Sequence, residues 1–219
     1  MTPKIIAHRG VTRNDQENTL PAYHQAFSDG ADGLEIDVRL SKDKKPIIFH
    51  DEDTSRLFKK NLEIKNTTFF ELEALGNNEN RIPLLDEVLD FLPQNKECFI
   101  EIKSDANTVP FLDKLKIEKK NITFLSFDKN VVLALKKRFP NKLVFQSFHM
   151  LQIERYGIKK ILEFYTKGNS DGLSIDIRGL SNKTIDKILE KKIDLIIWTL
   201  NSMERLKELS KKNIRAIIT

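Results

Sequence analysis

Short runs of alternating or β-branched residues recur along the chain, with helical patterns between them. The runs are KIIAH, GLEID, CFIEIK, ITFLSF, LVFQSF, GLSID, LIIWT and AIIT. Helical periodicity fills LPAYHQAFSDG, LLDEVLDFLP, KNVVLALKKRFP, GIKKILEFYTKG, NKTIDKILEKK and SMERLKELSKKN. Strand and helix alternating through a chain predict a parallel sheet with right-handed crossovers. Eight such units predict an α/β fold, the (β/α)8 TIM barrel. Asn18 or Thr19 can cap the first helix, with Pro21 in its first turn and Gly30 past its end. Residues 51–82 break the rhythm and are read as a short helical insert followed by a loop. No linker interrupts the pattern, so one domain is expected over residues 1–219.

The stretch GLEIDVRLSKDKKPIIFHDED, residues 33–53, predicts a β-hairpin around a polar turn. A turn centred between Asp43 and Lys44 would set Asp37 opposite His50. Alternation puts Glu35 and Asp37 on one strand face and Ile36 and Val38 on the other. An exposed hairpin edge would account for the acids alone. In a barrel, however, functional residues gather at the C-terminal ends of the strands. His8 ends the first strand, Glu35 and Asp37 the second, Glu101 and Lys103 the third, and Trp198 comes late in the seventh. The hairpin then rises above the C-terminal mouth and returns His50 to the rim.

Composition narrows the classes. The chain has 219 residues, 40% of them hydrophobic, enough for a sizeable core. Its one cysteine, Cys98, excludes an internal disulfide framework and a cysteine-based zinc site and fits a reducing cytoplasm. The start, MTPKIIAHRG, lacks the apolar run of a signal peptide, and no stretch has membrane length. The net charge of +5 comes from lysines interleaved with acids along helical faces. A basic, aromatic-bearing nucleic-acid surface does not stand out. A small anionic substrate is the expected partner, with neither nucleic acid nor stable membrane insertion; oligomeric state is unread.

Glu35, Asp37 and Glu101 point away from the apolar faces of their strands. Like charges crowded at a barrel mouth repel and resist desolvation. A hard divalent cation would resolve both, and oxygen-only ligation favours Mg2+ or Ca2+ over zinc. A structural salt network with Lys103 and Arg9 is the alternative. His8 and His50 reach the same rim and are suited to proton transfer near neutrality. Arg9 offers a planar donor fork for phosphate oxygens, and Lys103 a compact charge. Gly10 lets the backbone turn. Phosphodiester cleavage uses all of these parts. No Gly-rich triphosphate-binding loop is present in the sequence.

IAHRG, ENTLPAY, GLEIDVRLSKDKKPIIFHD, IPLLDEVL, FIEIK, LSF and WTLN together resemble the glycerophosphodiester phosphodiesterase family, in its order and over nearly the whole chain. The resemblance implies a TIM-barrel enzyme that uses a divalent cation to hydrolyse glycerophosphodiesters such as glycerophosphocholine to sn-glycerol 3-phosphate and an alcohol. It implies His8 and His50 as acid and base, and Glu35, Asp37 and Glu101 as metal ligands. Arg9 and Lys103 would bind phosphate and Trp198 would flank the glycerol. Glu17 and Asn18 match the family's E-N pair, and Asp51 follows His50 in its H-D pair. Gln16 replaces a proline common before the E-N pair, and the segment after His50 lacks an expected glycine-bearing stretch. Lysophospholipase D-type hydrolysis at the same centre is the alternative activity; a non-catalytic barrel would be marked by loss of a histidine or carboxylate.

Overall fold

The computed structural model describes residues 2–13 and 16–219. In chain order it contains β1 (Lys4–His8), α1 (Leu20–Ser28), β2 (Gly33–Leu40), β3 (Pro46–Ile48), α2 (Ser55–Phe58), α3 (Phe69–Glu73), α4 (Leu85–Phe91), β4 (Glu97–Ile102), β5 (Asn121–Ser126), α5 (Lys129–Arg138), β6 (Leu143–Phe148), α6 (Met150–Gly168), β7 (Gly172–Asp176), α7 (Asn182–Glu190), β8 (Asp194–Trp198), α8 (Met203–Leu209) and β9 (Ala216–Ile218). Each β-rich run of the sequence forms a strand, and β3 is the return arm of the hairpin. The strand order is β1-β9-β8-β7-β6-β5-β4-β2-β3, with β1 also paired to β2. This is the order of a (β/α)8 TIM barrel. No helix among the described residues is long and apolar enough to cross a membrane.

Packing divides the chain into two compact units, Ala7–Ile122 and Met1–Ile6 with Thr123–Thr219. In the first, β2 and β4 run parallel in the register Gly33↔Glu97 through Val38↔Ile102. Thr19 caps α1, as one of the two expected candidates, with Pro21 in the first turn. The hairpin departs from expectation by one residue. Its register is Val38↔Ile48, Arg39↔Ile47 and Leu40↔Pro46, and Phe49 N donates to Asp37 O at 2.9 Å. Phe49, not His50, therefore faces Asp37. Ser41 N donates to Lys45 O and Lys44 N to Ser41 O, both at 3.0 Å, while Lys44 takes φ 62°. A three-residue loop ending in a left-handed residue shifts the pairing relative to an even-numbered loop.

Residues 51–82 are more ordered in their packing than their sequence suggested. Ile64, Phe69, Leu72 and Ile82 form a small apolar core with Ile47 and Phe49 of the hairpin. Asp43 Oδ1 in the turn accepts from Phe69 N at 2.9 Å, joining the turn to α3. The hairpin and the insert thus stabilise one another.

In the second unit, β5 to β9 pair in parallel, and Phe148, Ile161, Ile175, Leu195, Ile197 and Ile217 belong to one buried cluster. The sequence placed the start of α6 at Gly157, but the helix begins at Met150, capped by His149, and Gly157 interrupts it at φ 70°, ψ 156°. The glycine hid the preceding turns, because a break in backbone conformation reads like a boundary.

Arg9 at φ 60° and Gly10 at φ 86° turn the chain sharply after β1, and Val11 N then reaches Ala22 O at 3.0 Å. A Cβ on Gly10 would lie 2.7 Å from the Ala22 carbonyl carbon, whereas one on Gly30, at φ 93°, would meet nothing within 4 Å. Gly30→Ala should therefore cost backbone strain alone, about 1 kcal/mol. Gly10→Ala adds overlap with backbone and should cost about 2–4 kcal/mol. Urea midpoints of the two variants measure the difference, and equal losses would contradict the close approach.

Candidate active site

The acidic centre follows from strand register. Asp37 on β2 is the Cα partner of Glu101 on β4, and Glu35 lies two residues earlier on the same face. One oxygen from each of the three carboxylates lies within 4.8 Å of the others, and all three residues are buried. Arg9 Nε lies 3.0 Å from Asp37 Oδ2. Lys103 Nζ lies 3.2 Å from Asp37 Oδ1 and 2.6 Å from Glu101 Oε1. Asn18 Nδ2 donates to Asp37 Oδ2 at 2.9 Å, and buried Tyr23 donates its hydroxyl to Asn18 Oδ1 at 3.0 Å. Asn18 itself is held at φ 59°.

The salt network anticipated as an alternative is thus present, but it is one charge short. Arg9 and Lys103 face three carboxylates, and the deficit falls at Glu35. Its Oε2 is buried with no hydrogen bond among the described residues, and His8 Nε2 stands 3.8 Å away. Burial, reinforced by the charges of Asp37 and Glu101, pushes the Glu35 carboxyl well above its ordinary range. Burial also opposes charge on Asp37, but Lys103, Arg9, His50 and the Asn18 hydrogen bond outweigh it and hold that carboxyl low. Glu101 is raised by burial, with Lys103 only partly opposing.

Burial and then the neighbouring Arg9 charge push the His8 imidazole down to about 4. Burial lowers His50 too, against the pull of the Asp37 charge. His50 Nδ1 lies 2.7 Å from Asp51 Oδ1. An N–H given to that carboxylate leaves Nε2 with a lone pair for proton transfer. Asp51 Oδ2 accepts from Arg56 Nε at 2.5 Å. The same guanidinium donates to Glu17 Oε2 at 3.1 Å and Oε1 at 2.6 Å, and Glu17 Oε1 accepts Arg9 Nη1 at 3.1 Å. Arg56 therefore links the two supporting acids, Glu17 and Asp51.

His8, Arg9, Glu17, Asn18, Glu35, Asp37, His50, Asp51, Glu101 and Lys103 all lie within the unit Ala7–Ile122. Trp198 belongs to the other unit, where it ends β8 with Phe127 edge-on at 5.7 Å and the His149 ring at 6.0 Å. Sequence reasoning missed Arg56 and Arg39. Arg56 left no signal, since an arginine on a short polar helix resembles any solvated one. Arg39 did: the alternation Glu35, Asp37, Arg39 continues the carboxylate face.

The donor set fits a hard divalent cation. It is all oxygen, it is buried, and Glu35 contributes an oxygen with no hydrogen bond among the described residues. Glu35, Asp37 and Glu101 are the residues that would hold the ion.

The model of the glycerophosphoryl diester phosphodiesterase family matches residues 8–167. A glycerophosphodiester phosphodiesterase of Caldanaerobacter subterraneus is 26% identical over 237 residues, covering 100% of this chain and 94% of that protein. The crystal structure of a glycerophosphodiester phosphodiesterase from Thermotoga maritima superposes with a TM-score of 0.83 at 30% identity, covering 100% of this chain and 95% of that one. An Oleispira antarctica phosphodiesterase, solved in complex with the product sn-glycerol-3-phosphate, shares the fold with a TM-score of 0.86 at 24% identity, covering 99% of this chain and 92% of that one. With its buried acidic centre and the matched span from His8 onward, the chain belongs to the glycerophosphoryl diester phosphodiesterase family.

Proposed function

We propose that the protein is a divalent-cation-dependent hydrolase that splits glycerophosphodiesters, such as glycerophosphocholine and glycerophosphoethanolamine, into sn-glycerol 3-phosphate and an alcohol. The observation that carries this reading is the buried cluster of Glu35, Asp37 and Glu101, one charge short of neutrality and flanked by His8. The product bound in the Oleispira relative supports the identity of the phosphomonoester.

Mg2+ or Ca2+ held by the three carboxylates would supply Lewis-acid polarisation of a phosphoryl oxygen. Arg9, fixed through Nε by Asp37 and through Nη1 by Glu17, offers the rest of its guanidinium to a second phosphoryl oxygen. Lys103 adds positive charge beside it. His8 and His50 form the acid/base pair, one deprotonating the nucleophile and the other protonating the leaving oxygen. Asp51 orients the His50 ring, and Glu17, through Arg56, holds Asp51 in place. The family resemblance assigns Trp198 to the glycerol moiety. The single cysteine is free and buried, in keeping with a cytoplasmic setting.

Release of sn-glycerol 3-phosphate, followed with glycerol 3-phosphate dehydrogenase, should appear with Mg2+ or Ca2+ and vanish in EDTA. His8→Ala and His50→Ala should each lower kcat by about two to four decades with urea midpoints near wild type. Activity on lysophosphatidylcholine alone, or full turnover in EDTA, would overturn the reading. Independently of activity, saturating Mg2+ or Ca2+ should raise Tm by roughly 5 to 10 °C at a hundredfold excess over Kd. Glu35→Gln should abolish most of that shift, and an undiminished shift would remove Glu35 from the ligand set.

A further inference from the structure

The polar rows that build the acidic centre do not end there. On β2 the face carrying Glu35 and Asp37 continues to Arg39, and beside it the row from Glu101 continues to Lys103 and Asp105. Lys103 N donates to Val38 O at 2.9 Å, so the two chains stay paired past the carboxylates. Beyond them lies a cleft of about 340 Å³, whose lining includes Arg39, Glu52, Asp53, Glu63, Lys103 and Asp105. Lys103 is common to both places: its ammonium touches Asp37 and Glu101, and its side chain is a wall of the cleft. His50 stands at the same border. Arg39 Nε donates to His50 O at 2.8 Å, and the cleft residues Glu52 and Asp53 lie two and three positions after His50.

The cleft is rich in free acceptors. The Glu52 carboxylate accepts no side-chain hydrogen bond among the described residues, although its charge acts on Arg39. Asp53 Oδ1 accepts from Ser55 N at 2.9 Å, Asp105 Oδ1 from Asn107 N at 2.9 Å, and Glu63 Oε2 from Asn66 Nδ2 at 2.7 Å. Each of these three acids keeps its other oxygen. With Lys103 committed to Asp37 and Glu101, the four carboxylates face Arg39 and Lys65 among the described lining residues, and Lys65 Nζ lies 3.8 Å from Glu63 Oε2. Among the described residues, no aromatic ring lines the space.

We infer that this cleft receives the alcohol moiety of the diester and favours head groups that donate hydrogen bonds, a primary ammonium or hydroxyls, over the trimethylammonium of choline. The inference rests on the reading above, which puts the phosphate at the carboxylates. A group leaving phosphorus emerges past Lys103 and His50 into a wall of unfilled acceptors. A primary ammonium or a polyol satisfies them with directed, charge-assisted bonds. Choline has no N–H to give, and the aromatic faces that hold quaternary ammonium groups are absent from the lining.

The test compares kcat/KM of the Mg2+-loaded protein for glycerophosphoethanolamine, glycerophosphoglycerol and glycerophosphocholine. At least one of the first two should exceed the choline substrate tenfold or more. Preference for ethanolamine alone identifies the ammonium as the recognised donor, and preference for glycerol the hydroxyls. The double variant E52Q/E63Q, altered at exposed positions, should narrow the ratio of the preferred substrate to the choline substrate at least threefold. Equal or better turnover of the choline substrate, or a ratio unmoved in the folded double variant, would overturn this inference while leaving the phosphodiesterase reading intact. Absence of sn-glycerol 3-phosphate from all three would overturn both.

Discussion

Three carboxylates on one buried face of the paired strands β2 and β4 are the constraint around which the rest of this site is organised. Parallel register sets Asp37 beside Glu101, and the two-residue period adds Glu35. No side-chain choice elsewhere can relax that crowding, because the backbone ladder itself creates it. Arg9 and Lys103 compensate two of the charges. Removing one partner from such a buried set costs about 3–5 kcal/mol, so the two cations are a condition of folding. The third charge has no such partner, and that deficit is what fits the centre to a cation rather than to a closed salt network.

The surroundings keep the arrangement rigid. Tyr23 holds Asn18, and Asn18 holds Asp37. Arg56 holds Glu17 and Asp51, which in turn hold Arg9 and His50. Two of the residues nearest the centre, Arg9 and Asn18, take left-handed backbone conformations without being glycine. Strain of this kind persists where the neighbouring structure over-determines it. Here Arg9 N bonds Glu35 O and Asn18 N bonds Arg9 O, both at 2.9 Å, so the strained loop is stitched to the strand that carries the acids.

Much of this was legible in the sequence. Each predicted strand formed, because parallel strands buried on both faces read as β-branched runs, and the acidic face of β2 showed in its alternation. What was lost depended on conformations that composition does not encode. The hairpin slipped by one residue because Lys44, not a glycine, adopts φ 62° and makes an odd loop. The early turns of α6 were hidden behind Gly157. The link through Arg56 spans 39 residues to Glu17 and left no local trace. The insert looked irregular because its core is shared with the hairpin and not self-contained.

The most direct test of the central claim is anomalous scattering from crystals grown with Mn2+ in place of Mg2+. The account predicts one ordered peak per chain, bonded to an oxygen from each of Glu35, Asp37 and Glu101. A peak among Glu52, Asp53 and Glu63 instead, or none in crystals of active protein, would contradict it.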